Sequence, residues 1–364
     1  MKRSLTIAAL GLGAMVIAPA ALQAGSIKNG SAVDLTVGGQ VNRALLYTND
    51  GTDGFYRHVD SENSSTRFFF DATGKINNDV TAGAKMILQM SSNNSASVSA
   101  TSETNSPSVS EHTMEVFFSS AKFGKLTLGQ GSTVSDGSAE VDLSGTGLAA
   151  YSYTPDIGGN FAFTQNNTRS SVTIANVSEN FDGLGRTDRL RYDSPTFGGF
   201  SLGVSSAPEG TNDVGLTYSG KIGGVEVAGA IAYYNMSGTA DAFTDGVTGS
   251  ISALMANGLN LTFAAGQRQI ATSGREDPVF YYGKLGYKSK MNSLGMTNFS
   301  IDYSMTNDLA QNDDEHSSFG FQVVQDIEGI GSSLYLGYRN HSLERTGTNY
   351  DDIHTVIAGA LVAF

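Results

Sequence analysis

Two groups of charged residues in this 364-residue chain could act on one another. The acids Asp136, Glu140, Asp142 and Asp156 fall in the first half of an insert, Ser132–Arg186, that holds six acids and seven glycines against two bases, Arg169 and Arg186. The bases Arg67, Lys85, Arg189 and Arg191 fall in segments where polar and apolar residues alternate, each on the side opposite large apolar neighbours. Carboxylates set across a narrow gap from guanidinium and ammonium groups make a transverse field, which sorts dissolved ions and dipoles by charge and size. Separate solvation of each charge by water is the plainer reading of the same residues. Asp182 and Glu179, near the insert's return, are expected at its rim.

Catalytic readings find little support. The five histidines (His58, His112, His316, His341, His354) are scattered without metal-ligand spacing, and a Ser/His/Asp set has no weight in so serine-rich a chain. The segment Asn49-Asp50-Gly51-Thr52-Asp53-Gly54 offers oxygens to a calcium ion, yet it lacks the EF-hand spacing and reads more simply as a loop turn. Cysteine is absent, which removes thiol chemistry and disulfides. No enzyme activity and no resident cofactor are expected.

The elements that carry these charges follow from the chain's rhythm. Met1-Lys2-Arg3, an apolar run from Leu5 to Ile17 and small residues up to Ala24 make a secretory leader, residues 1–24, with a cut after Ala20 as the alternative. Loss of Lys2 and Arg3 leaves 20 bases against 35 acids, a net charge of −15, which argues against nucleic acid as a partner. From Val33 onward, sixteen alternating segments succeed one another, the first running to Tyr47 and the last Asp352–Phe364. Gly38-Gly39 in the first reads as a bulge, which leaves the phase of Arg43 open. Connections after even-numbered segments are short (Asn77-Asn78, Phe123-Gly124-Lys125, Asn257-Gly258), and those after odd-numbered ones are longer and polar. This sorting, with an even count, predicts an all-β fold: a 16-stranded antiparallel transmembrane barrel over residues 25–364, the insert 132–186 being its third long loop, folded inward. Hydrocarbon tolerates no free sheet edge, so the last strand, ending at Phe364, must close on the first.

Three stretches carry a family resemblance. Arg186-Thr187-Asp188-Arg189-Leu190-Arg191-Tyr192-Asp193-Ser194-Pro195-Thr196-Phe197-Gly198-Gly199-Phe200 resembles a segment of Gram-negative general diffusion porins, Phe123–Gln130 is similar to the strand leading into their third loop, and Phe364 matches their carboxy-terminal signature. The resemblance implies a homotrimer of water-filled barrels in the outer membrane, among lipid and lipopolysaccharide, passing small hydrophilic solutes. It sets Arg67, Arg189 and Arg191 opposite Asp136, Glu140 and Asp142. The insert exceeds the family pattern, leaving room for an extra hairpin around Arg169–Ala175, and Val362 stands where an aromatic residue is common. The net charge favours cations as permeants. The alternatives are a substrate-specific channel, with Tyr151, Tyr153 and Phe161 as its binding track, and a secreted β-rich surface protein.

Overall fold

The computed structural model describes residues 25–28, 33–236 and 243–364, so the expected leader lies outside the described residues. Among them, sixteen antiparallel strands close into one barrel. They are β1 (Val33–Asn49), β2 (Arg67–Lys75), β3 (Val80–Ser91), β4 (Ser108–Ser120), β5 (Gly124–Ser132), β6 (Arg186–Asp193), β7 (Phe200–Ser206), β8 (Asn212–Ile222), β9 (Val225–Asn235), β10 (Phe243–Leu254), β11 (Leu259–Ile270), β12 (Val279–Ser289), β13 (Thr297–Asn307), β14 (Glu315–Ile327), β15 (Ser332–Arg345) and β16 (Ile353–Ala363). Each expected segment is present, its ends shifted by a few residues.

Alternation gives each strand two faces, and the outward one is apolar: Leu202, Leu216, Ile231, Ile251, Phe263, Leu285, Ile301, Phe321 and Leu336 are all exposed. No helix among the described residues is long and apolar enough to cross a membrane; the strands do that here. β16 pairs with β15 on one side and with β1 on the other, from Gln40 opposite Ala363 to Asn49 opposite His354. The last rung is reciprocal, Gly39 N–H donating to Phe364 O at 2.8 Å and Phe364 N–H to Gly39 O at 3.0 Å.

The bulge expected at Gly38-Gly39 is absent, since β1 keeps one register with β2 through both residues. A Cβ on Gly39 would stand 2.9 Å from the ring of Phe364, and one on Gly38 would strike the ring of Phe69. The glycines are there to seat two rings. The phase of β1 therefore runs unbroken, and Arg43 points outward between the exposed Val41 and Leu45.

The long connections at the other rim are L1 (residues 50–66), L2 (92–107) and L3 (133–185). L1 is not all loop, because Gly54–Asp60 forms a strand on the upper half of β1, above the point where β2 stops. Inside the barrel the three loops build a dry core against β14–β16, with Val59 of L1, Val98 of L2 and Leu148, Phe161, Phe163 and Ile174 of L3 buried together. The extra hairpin exists as Ala162–Gln165 paired with Thr168–Thr173, starting earlier than the sequence implied.

Candidate pore constriction

L3 is laid along the inner wall by groups that alternate into the lumen. Val134 N–H donates to Ser205 Oγ of β7, and Ser135 donates through both N–H and Oγ to Asp213 of β8, at 2.8 and 2.6 Å. The side chain of Val134 fits over Gly203 and Gly215, cross-strand partners at which an added Cβ would lie 2.8 Å from it. Val141 and Leu143 N–H donate to Ser250 and Ser252 of β10, both at 2.9 Å, and the Lys284 ammonium of β12 donates to Asp142 at 2.7 Å and to Ala150 O at 2.9 Å. On the return, Glu179 exchanges hydrogen bonds with Thr306 of β13, and Asp182 accepts the N–H groups of Gly137 and Ala139 at 2.6 and 2.7 Å.

Between this lining and the wall of β2–β4 is a cleft of about 220 Å³. L3 contributes Asp136, Glu140, Asp142, Tyr151, Tyr153, Asp156 and Asp182 to it, L1 contributes Glu62, Asn63 and Ser65, the wall contributes Arg67, Gln89 and His112, and the first residue of β6 contributes Arg186. Six carboxylates thus meet two guanidinium groups. Arg186 lies 3.7 Å from Asp136, and Arg67 donates to Ser65 O at 3.1 Å while facing His112 at 3.5 Å. Glu62 is held by Gln89 and Asn94, Glu140 by Asn180, and Asp156 accepts the Tyr151 hydroxyl.

Crowding of carboxyl groups out of water shifts their protonation. Burial, and after it the neighbouring Asp136, pushes Glu140 up to about 7. Burial and the charges of Glu140 and Asp136 likewise raise Asp182 above the usual carboxylate range, against the pull of its two amide donors. Burial and Glu62 raise Asp156. Asp142 goes the other way: burial works against its charge, but the Lys284 ammonium outweighs it and holds the carboxyl low.

The four acids singled out from sequence all line the cleft, though Asp142 is spent on Lys284. Of the four bases, only Arg67 lines it. Arg189 and Arg191 point inward but do not meet the acids of L3, which corrects the arrangement the resemblance implied. Arg189 bonds Glu115 at 2.6 Å and Ser132 O at 2.9 Å, and Arg191 bonds Asp193 and Thr133 O, so the two brace the root of L3. Lys85 lies four residues further along, between Asp71 and Glu115 in the β2–β3–β4 register. Asp182 lines the cleft instead of the rim, and Phe161 is fully buried in the dry core instead of on a binding track. The oxygens proposed for calcium are engaged by Arg169, which reaches Asp50 at 2.6 Å and Asp53 at 2.7 Å.

Sequence reading missed Glu62, His112, Arg186 and Lys284. Lys284 carried a signal, as a cation in phase with Phe280 and Tyr282 and out of phase with Leu285 and Tyr287. Arg186 carried none, since its parity is outward and only its place at the strand's end lets it swing in.

A charged slot inside a membrane barrel is the geometry of a channel. The sequence pattern of the Gram-negative porin family matches residues 8–346. The chain belongs to the Gram-negative porin family. As a porin it is a multi-pass β-barrel of the Gram-negative outer membrane, which ends the surface-protein alternative. No curated protein matches its sequence significantly. Similar folds include an anion-selective porin from Comamonas acidovorans (TM-score 0.63, 14% identity, 91% of this porin and 100% of that chain). An outer membrane protein of Vibrio cholerae in trimer form (0.58, 13%, 92% and 100%) and the OmpF–daunomycin complex of Salmonella typhi (0.59, 14%, 93% and 100%) are also similar.

Proposed function

We propose that this porin passes small hydrophilic solutes and ions by passive diffusion, that the L3 cleft is its constriction, and that it prefers cations. The carrying observation is the imbalance of charge in the cleft, where Glu140, Asp156 and Asp182 lie opposite Arg67 with no cation bonded to any of them among the described residues. The Comamonas relative is described as anion-selective; at 14% identity only the fold is shared, and selectivity follows the residues at the constriction. Reversal potentials in a salt gradient test this. Cation preference above pH 7 that falls in a Glu140→Gln variant supports the assignment, and anion preference of the native pore refutes it.

The trimer form of the Vibrio relative and the apolar outward belt support a homotrimer embedded in lipid and lipopolysaccharide. Light scattering in mild detergent tests the count of chains. A substrate-specific channel is the second reading, favoured by Tyr151 and Tyr153 beside the charged groups of so small a cleft. Saturating block of the current by one solute would select it, and conductance linear in every solute tried would exclude it.

A further inference from the structure

One rung across the outer part of β9–β11 reads Tyr234, Gly246, Arg268. It faces the lumen, where Tyr234 Oη donates to Phe181 O of L3 at 3.2 Å and accepts from Arg268 Nε at 2.9 Å. The middle position must be glycine, because a Cβ on Gly246 would strike the Tyr234 ring. Beyond Gly246 the β10–β11 register slips by one residue, and this bulge turns Phe243 inward, out of its alternation. The Arg268 guanidinium therefore lies over three rings, 5.2 Å from the centroid of Phe181, 5.4 Å from that of Phe243 and 5.8 Å from that of Tyr234. Phe181 meets it from L3 at a φ of 54°, a left-handed conformation that costs a bulky residue energy.

Ring faces answer the charge of a guanidinium but accept few of its N–H groups. Arg268 spends Nε on Tyr234, and its Nη1 and Nη2 have no hydrogen-bond or ion-pair partner among the described residues. The lumen arginines Arg189, Arg191 and Arg339, by contrast, are each engaged by a carboxylate. Glu179, whose charge acts on Arg268, gives Oε1 to the N–H groups of Asn180 and Phe181 instead. A fork held by three rings and one hydrogen bond, with two donor nitrogens to spare, is preorganised for a carboxylate from solution. Carboxylates of the opposite sign of charge stand close by. Asn180, the residue before Phe181, donates to Glu140 at 3.0 Å, and Tyr153, which lines the acid cleft, is acted on by the charges of both Arg268 and Glu140. Arg268 is two residues from the outer end of β11, so a solute from outside meets the cation first and the acids of L3 after it.

We propose, on the substrate-specific reading of this pore, that Arg268 and the cleft acids are the two poles of a subsite for short zwitterions, amino acids or small peptides, with the solute carboxylate on Arg268 and its ammonium toward Glu140. Such a solute has no net charge, so the subsite is compatible with a cation-preferring pore.

Reversible block of the potassium current in planar bilayers tests this. The probes are γ-aminobutyrate and ε-aminohexanoate, with butylamine lacking the carboxylate and butyrate lacking the ammonium. Saturating block by a zwitterion is expected, with its half-blocking concentration raised about tenfold or more in Arg268→Gln, as for the loss of a hydrogen-bonded charge. Butylamine should act alike on the two pores, and Arg268→Lys, which keeps the charge without the fork, should fall between them. Equal half-blocking concentrations in the native and Arg268→Gln pores overturn the proposal. So does a loss of block that extends equally to butylamine with faster hydrogen exchange at Phe181 N–H, which would assign Arg268 to fastening L3. Saturating block by butyrate or butylamine alone keeps a substrate-specific pore and removes the zwitterion subsite, whereas no saturation by any of the four removes both and leaves the diffusion channel.

Discussion

Replacing Lys284 by Met isolates the fastening of L3 from the stability of the barrel. The ammonium is wholly buried and bonds Asp142, Thr146 Oγ1 at 3.2 Å and Ala150 O, three points in one stretch of L3. Methionine keeps the bulk and leaves Asp142 as a buried charge with only Ser144 and Thr262 to serve it. Breaking one side of a buried ion pair costs about 3–5 kcal/mol. At about 1.4 kcal/mol per factor of ten, that is on the order of 10² to several times 10³ in the equilibrium between docked and undocked L3. The β12 strand pairing should survive, because the change sits on one lumen-facing side chain. Hydrogen exchange at Val141 and Leu143 N–H, donors to the wall serines, reads the docking directly, and open-channel noise reads its result. The pH dependence gives a second check. In the native protein Asp142 is held below its unfolded value, so its contribution is present above pH 4 and is lost as pH falls through the lowered value. In the variant the same carboxyl loses its cation and is raised, so the defect is present at neutral pH and relieved on acidification. Adding Asp142→Asn should restore most protection. A double variant as poorly protected as Lys284→Met, or a single variant protected like the native chain, refutes the reasoning.

Three further outcomes follow from the geometry. With Glu140 pushed up to about 7, the ratio of cation to anion permeability should rise between roughly pH 6 and 8 as it ionises, and Glu140→Gln should flatten that rise in reversal-potential measurements. Arg169→Ala leaves the buried Asp50 without its cation while Arg169 itself is a third exposed; a loss of about 1–2 kcal/mol should appear as faster exchange of Asp351 N–H, which is bonded to Thr164 O in the hairpin. Phe364→Ala removes a half-exposed ring from Gly39 and from Phe68, 5.5 Å away, and should lower barrel stability by about 1 kcal/mol, seen as unfolding of the heat-modifiable form at a lower temperature.

The barrel was legible because its determinants are local and repeated. Alternation such as Val227, Gly229, Ile231, Tyr233 against Glu226, Ala228, Ala230, Ala232 fixes one face per strand, and a membrane on one side enforces it sixteen times. Gly54–Asp60 was illegible for the complementary reason. Its inward face, Phe55, Arg57 and Val59, is broken by an arginine that turns in to the carbonyls of Ser99 and Ala100 of L2, and its outward face carries Tyr56 and His58, so neither face reads as uniformly apolar. Gly38-Gly39 misled because the same glycine signature serves a bulge and a seat for a ring, and only the partner ring, 325 positions on in sequence for Gly39, decides between them.

The site was half legible, and the missing half has one cause. Composition put the acids in L3, but it could not assign cations to them, since an inward arginine bonds the nearest acceptors that satisfy its geometry. Arg189 and Arg191 find Glu115, Asp193 and the carbonyls of Gly129, Ser132 and Thr133 within their own stretch of wall, and every nitrogen of both rigid forks is engaged there. The consequence is electrostatic. Because these two arginines are neutralised locally, they do not offset the carboxylates of the cleft, and the field at the constriction is set by Arg67 and Arg186 against the five acids other than Asp142, which Lys284 neutralises. Removing Arg189 should therefore disturb how L3 leaves β5 well before it alters selectivity, whereas removing Arg67 should alter selectivity with L3 in place. The two variants, compared by exchange at Thr133 N–H and by reversal potential, separate an arginine that holds the loop from one that faces the permeant.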